Sequence, residues 1–200
     1  AEDALSLPVR TGKARVIGIE PASLVTKSLV REVKTDDAGC FQSALNPGLT
    51  KIAVIERQKR TGKRGIWILE VYGLTGGAIA TTISHDSHNI VVAGDNDPDM
   101  LLAVRELADM GGGIVSVHGG AIRRLPLPIA GLMTSADPQE VNAVLHDMLV
   151  AARAELGIPE DVEPFMTLSF MALPVIPELK LTARGLFNVN TFSFVGVEAD

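Results

Sequence analysis

The sequence predicts an α+β protein, with a mixed, mainly antiparallel β-sheet and two principal helices packed on it. Between residues 15 and 92, short runs rich in β-branched residues alternate with turn-rich pieces. This pattern favours hairpin connections over crossover helices. Two helical segments follow, near 98–110 and 138–156. The strand-like runs are RVIGIE, SLVREV, KIAVIE, GIWILEVY, GAIATTI and NIVVAG.

Composition limits the classes of protein to consider. The chain has 200 residues, 46% of them hydrophobic, which is enough for a substantial core. We expect one domain over residues 13–200, preceded by a linker-like segment at 1–12. No apolar run reaches the roughly 18 residues of a membrane span. The single cysteine, Cys40, is compatible with a reducing cytosol, so a cytoplasmic location is expected.

The charge distribution argues against nucleic-acid binding. The formal net charge is −6, and the densest basic cluster is RQKRTGKR at 57–64. That cluster contains turn-forming residues and is predicted to cap a hairpin, whereas a nucleic-acid surface needs a wider basic face.

Capping residues predict the bounds of both helices. Asp97 is the expected N-cap of the first helix, and Gly111 its left-handed stop. Asp137 is the expected N-cap of the second helix, which should end before Gly157. Gly119 and Gly120 predict a tight hairpin turn. The stripes expected to face the core are Met100, Val104 and Leu107 in the first helix, and Val141, Val144, Leu145, Met148, Leu149 and Ala152 in the second.

The C-terminal quarter is apolar and is interrupted by prolines at 164, 174 and 177. Prolines prevent a long helix, so we expect one strand around MTLSFM. An irregular segment, LPVIPELKL, should follow, and then a last strand at TFSFV.

The densest polar chemistry is ISHDSHN at 83–89, between two apolar runs. Imidazole and carboxylate can bind a catalytic metal, which makes His85, Asp86 and His88 candidates. The other two histidines, at 118 and 146, are expected at a hairpin turn and on a helix. We therefore expect no metal site in this chain alone.

A nucleophilic triad with Ser84 or Ser87 would lack the elbow motif that exposes such a serine. The same side chains could instead stabilise a corner between strands. The residues alone leave two readings of 83–89 open: a structural corner, or a site completed from outside the chain. The candidate residues are His85, Asp86, Ser87, His88 and Asn89.

Several motifs, in order, resemble one enzyme family. ISHDSHNIVVAGDNDPDM, GGGIVSV, LPLPIAGLM and PFMTLSFMALPVIPELKLTARGLF are similar to the C-terminal region of bacterial and archaeal adenine deaminases. KIAVIERQKRTGKRGIWILEVYGLTGGAIATT resembles the segment before it. The resemblance extends from about Lys13 to Val195. This chain departs from the family pattern at Gln58, Trp67 and Glu70, which leaves fine details of substrate preference open.

The resemblance implies that the chain is part of a longer enzyme of the amidohydrolase superfamily. In that superfamily a pair of divalent metals, here manganese or iron, lies in a (β/α)8 barrel, and adenine is hydrolysed to hypoxanthine and ammonia. The implied partners are an N-terminal metal-binding barrel and adenine. No cofactor is expected in this part of the enzyme. The resemblance leaves open whether the protein forms a homo-oligomer. The alternatives are a deaminase for another purine and a non-catalytic oligomerisation or regulatory module.

Overall fold

Four β-hairpins lie side by side in one sheet in the computed structural model, which describes residues 2–199. The spatial order is β2-β1-β4-β3-β6-β5-β7-β8, and only β1 and β4 run parallel. The predicted mixed, mainly antiparallel sheet is therefore confirmed. The strands are β1 (Lys13–Ile19), β2 (Thr26–Glu32), β3 (Leu49–Ile55), β4 (Arg64–Glu70), β5 (Gly77–Thr81), β6 (Ile90–Gly94), β7 (Gly113–His118) and β8 (Ala121–Pro126).

A second, three-stranded antiparallel sheet packs near the start of β4. Its strands are β9 (Leu179–Thr182), β10 (Gly185–Asn188) and β11 (Ser193–Val195). The two sheets come so close at Gly65 that a Cβ there would lie 2.1 Å from the carbonyl oxygen of Thr182. The predicted last strand in TFSFV is confirmed as β11.

Helices cover both faces of the large sheet. They are α1 (Asp97–Asp109), α2 (Pro138–Ala154) and α3 (Pro164–Phe170). On one face α1 packs Met100, Ala103 and Leu107 against small and branched residues of β5, β6 and β7. On the other face, α2 and α3 bury Met148 and Leu168 in the main core. The two principal helices are thus confirmed.

The caps agree with the sequence for α2 and differ by one residue for α1. The Asp137 side chain accepts a hydrogen bond from the backbone N–H of Gln139 at 2.8 Å, as an N-cap does. For α1 the N-cap is Asn96, which accepts from the N–H of Asp99 at 2.9 Å. Asp97 is instead the first helical residue, and its carboxylate pairs with the buried ammonium group of Lys51 at 2.6 Å.

The strand predicted around MTLSFM is wrong, because this segment forms α3. Pro164 begins the helix, and the Glu163 side chain caps it by accepting from the backbone N–H of Met166. Residues on several sides of this short helix are buried, among them Phe165, Thr167 and Leu168. Because the helix is buried on several sides, its apolar residues do not follow the 3.6-residue spacing that marks a helix in the sequence.

The segment 1–12, expected to be linker-like, contributes apolar side chains to the cores. Leu5, Leu7 and Val9 are buried. Pro8 forms an isolated β-bridge with Cys40. The boundary at residue 13 stays a prediction.

Within residues 2–199, no helix is both long enough and apolar enough to span a lipid bilayer.

Candidate functional site

The polar segment 83–89 connects β5 to β6, two strands in which all residues are buried. This placement is the one predicted. The loop turns at the end of the sheet, beside α3. Asp86 and Ser87 are exposed, while His85 and His88 are partly buried. Asn89 is buried at the start of β6 and donates to the Ser87 hydroxyl at 3.1 Å.

Backbone hydrogen bonds fix the loop at both ends. The N–H of His85 donates to the carbonyl of Ser169 in α3 at 3.1 Å, and that of His88 donates to the carbonyl of Ser84 at 2.6 Å. His88 has a φ of 46°, in the left-handed region that most side chains avoid. The loop therefore presents its side chains from a defined backbone.

Arg57, in the β3–β4 hairpin, is the residue that sequence reasoning missed. Its Nε donates to the carbonyl of His88 at 2.7 Å. One terminal nitrogen of the guanidinium donates to the carbonyl of Ala130 at 2.5 Å. The guanidinium lies against Gly131, where a Cβ would come within 2.7 Å of it. Arg57 thus ties the 83–89 loop to the turn that follows β8.

The imidazole of His85 packs between two rings. Its centroid is 4.6 Å from that of Phe170 and 5.6 Å from that of His88. Nδ1 of His88 accepts a long hydrogen bond, 3.4 Å, from the backbone N–H of Ser84. A ring nitrogen that accepts a hydrogen bond carries no proton, so His88 in this geometry is neutral, with its proton on Nε2.

Burial lowers the pKa of His88 below its ordinary value of 6.5, and the charges of His85 and Arg57 lower it further, against an opposing effect of Asp86. The unfolded chain then binds more protons than the folded chain just below pH 6.5. The contribution of His88 to stability is therefore complete above that pH and decreases as the pH falls through the folded-state pKa.

The loop separates two clefts. One, of about 450 Å³, is mainly apolar and is lined by His85 together with Phe170 and Met166 of the α3 region. The other, of about 600 Å³, is lined by Asp86, Ser87 and Asn89 on one wall. Its other walls come from the β3–β4 hairpin, residues 172–175 and the β9–β10 turn. His85 therefore faces one space and Asp86, Ser87 and Asn89 another, while His88 lines neither cleft.

The geometry does not fit the two hydrolytic readings of the motif. Nowhere in residues 2–199 do three His, Cys, Asp or Glu side chains approach closely enough to hold a metal ion. Ser84 is fully buried, and its hydroxyl has no hydrogen-bond partner in that range. The Ser87 hydroxyl is bound to Asn89 rather than to a histidine base. A triad needs a base within hydrogen-bond reach of its serine.

We expect Arg57→Met to raise the pKa of His88, because the change removes a nearby positive charge and loosens the loop towards water. NMR titration of the His88 imidazole measures this shift. Arg60→Met is the matched control, since Arg60 is exposed on the same hairpin. If both variants leave the His88 titration unchanged, Arg57 does not determine the environment of the loop.

A comparison with known families identifies the family of this chain. A family described as the adenine deaminase C-terminal domain matches residues 23–193, a range that includes the 83–89 loop and all three helices. The chain belongs to this family. The resemblance noted in the motifs is thus confirmed over most of the chain.

Curated relatives of this domain are much longer. An adenine deaminase of Nitratidesulfovibrio vulgaris is 58% identical over 197 residues, which are 98% of this chain but 34% of that protein. Adenine deaminase 2 of Carboxydothermus hydrogenoformans is 47% identical, over 96% of this chain and 34% of its own length. An adenine deaminase of Clostridium acetobutylicum is 44% identical, with 98% and 34% covered. The chain spans about a third of each relative.

Proposed function

We propose that this chain is the C-terminal part of an enzyme that hydrolyses adenine to hypoxanthine and ammonia. The observation that carries the proposal is the family match over residues 23–193. The names of the relatives support the reaction. Because the chain spans only a third of their length, we assign the metal-dependent chemistry to the rest of the enzyme. The divalent metal pair, manganese or iron, and the barrel that holds it are assigned to the preceding region.

Within that enzyme, the 83–89 loop closes the purine pocket of the metal-binding region. The support is geometric, because short polar side chains project from a backbone fixed by two buried strands, α3 and Arg57. Rigid elements hold polar contacts to a small ligand more precisely than free loops do. The metal itself does not fit this loop, which lacks a third ligand.

The side chains have distinct roles in this proposal. The exposed carboxylate of Asp86 and the Nε2–H of neutral His88 are an acceptor and a donor for purine nitrogens. The lowered pKa of His88 favours this neutral form, so the role of the imidazole is donation from Nε2–H. His85 packs against the ring of Phe170 and lines the apolar cleft with it. Ser87 and Asn89 orient the backbone between them.

The test uses His85→Asn, Asp86→Asn and His88→Asn in the longer chain that includes the preceding region. We expect turnover of adenine to fall by about 10²- to 10⁴-fold for at least one of them, since a single positioned acid–base group contributes on this scale. Bound metal should stay at the wild-type level. Ammonia release, metal content and thermal stability are measured together.

Near-normal turnover and Michaelis constants in all three variants, with only lower stability, would show that the loop is a structural corner. An assay of adenine beside other aminopurines separates an adenine deaminase from a relative that acts on another purine. A parent chain with no activity on any aminopurine would favour the oligomerisation or regulatory module.

A further inference from the structure

The four most exposed large apolar side chains of the described residues are connected to the 83–89 loop. They are Phe192, Val175, Met133 and Met166, exposed by 79%, 68%, 58% and 55%. We call these four residues the apolar band. Scattered single apolar side chains are normal on a surface, whereas several around one candidate site point to an interaction surface.

Three residues of the band lie beside the loop or beside a segment that contacts it. Met166 lines the apolar cleft with His85, and Val175 lines the second cleft with Asp86. Met133 belongs to the turn whose carbonyl at Ala130 is bound by Arg57.

Phe192 reaches the second cleft through a chain of rings. Its centroid is 5.2 Å from that of Phe187, which is 5.3 Å from that of Phe194. The guanidinium of Arg184 lies 5.1 Å from the Phe194 centroid, and Arg184 also lines the second cleft.

Phe192 combines an unfavourable backbone conformation with high exposure. Its φ is 52°, a left-handed conformation that suits glycine far better than phenylalanine. The side chain that results is mostly in water. Within residues 2–199 the ring contacts Phe187 and still remains 79% exposed, as expected of a side chain that a further surface covers.

The border of the second cleft carries three cations, Lys59, Lys63 and Arg184, and two carboxylates, Glu56 and Asp86, so it is slightly basic, although the chain as a whole carries a net charge of −6. Lys59, Lys63 and Arg184 border the second cleft, and none of them has a carboxylate partner in residues 2–199. The hairpin that carries the two lysines has a defined shape. The Glu56 carboxylate accepts hydrogen bonds from the backbone N–H groups of Thr61 and Lys59, which lowers its pKa from 4.5 to about 2.

We propose that the apolar band and its basic border are the face against which the region preceding this domain packs, with an apolar centre and an acidic border on that region. The inference rests on the proposed function, since it names the surface through which the loop would reach the purine pocket. The region that covers this face is available in the longer relatives, because about two thirds of their length lies outside the match.

A second copy of this chain is a worse occupant on grounds of charge. In a two-fold symmetric dimer the same patch meets itself. Lys59, Lys63 and Arg184 outnumber Glu56 and Asp86 there, so both copies would present the same excess of positive charge, and like charges at an interface disfavour association.

The experiment compares Val175→Glu and Phe192→Gly with Val150→Glu, all in the longer chain. Val150 is 50% exposed on α2 and does not line either cleft. Glycine at 192 suits the backbone, but the variant also removes the ring contact with Phe187, so exchange in residues 83–89 is the deciding readout for it. We expect hydrogen exchange in residues 83–89 and 190–195 to become at least about tenfold faster in both band variants, as packed segments open. The control should leave it unchanged.

Two results would overturn the proposal. One is equal exchange in the band variants and the control. The other is a dimer, seen by sedimentation, that the band variants convert to monomers, because a second copy would then cover the face. If the band variants exchange faster while the loop variants keep normal turnover, the interface is supported and the role of the loop in the purine pocket is rejected. If the band variants exchange at the normal rate while the loop variants lose turnover, the interface is rejected and the role of the loop in the purine pocket is supported.

Discussion

Replacing Asp97 by alanine is expected to lower the free energy of unfolding by about 3–5 kcal/mol, because it removes one partner of a buried ion pair. The ammonium group of Lys51 lies 2.6 Å from the Asp97 carboxylate, and the Lys51 side chain is 2% exposed. No other ion pair involves Lys51 within the described part of the chain. Urea unfolding monitored by circular dichroism measures the loss.

The control for this prediction removes both charges. Lys51→Met combined with Asp97→Ala should recover most of the stability, since a buried pair can often be replaced by apolar side chains at little cost. A loss below about 1 kcal/mol for Asp97→Ala alone would contradict the prediction, because it would mean that water reaches the ammonium group.

Gly77→Ala is expected to destabilise the fold by more than about 4 kcal/mol, or to prevent folding, through overpacking between strands. A Cβ at Gly77 would lie 2.0 Å from the carbonyl oxygen of Val117 in the neighbouring strand β7, and 2.8 Å from Cδ2 of Leu156. The first of these contacts is with backbone, which cannot rotate away as a long side chain can. The strands would have to separate.

Gly196→Ala is the matched control for this change, because a Cβ at Gly196 meets nothing within 4 Å. The yield of soluble protein and the thermal midpoint of both variants are compared. If the two variants behave alike, the close approach of β5 and β7 at Gly77 is not required for the fold.

The sequence predicted elements wherever a local signal was sufficient. Runs of β-branched residues located the first six strands, and Asp137 and Gly157 located the bounds of α2. Local signals failed at α3, where burial on several sides hides the helical period. They were off by one residue at α1, because Asn96 and Asp97 are both good caps and the pairing with Lys51 is a tertiary contact.

The position of the candidate site in the sequence was predictable, but the residue that holds its loop in place, Arg57, was not. The polar composition of 83–89 between two apolar runs was enough to mark the loop. Arg57 could be found only from the pairing of β3 with β6, in which Ile55 lies opposite Ile90. Extending this register by two residues brings Arg57 opposite His88. A single sequence does not reveal which strands pair, so that signal was missing.

The arrangement of the large sheet as four adjacent hairpins has a consequence for how the chain folds. Each strand of these hairpins pairs with its neighbour in sequence, so most pairings close short loops and can form early. The joint between β1 and β4 is different, because it is parallel and has only two residue pairs, Ile17 with Leu69 and Gly18 with Glu70. We expect the first hairpin to dock late in refolding and to detach first when the domain opens locally, on a faster time scale than global unfolding.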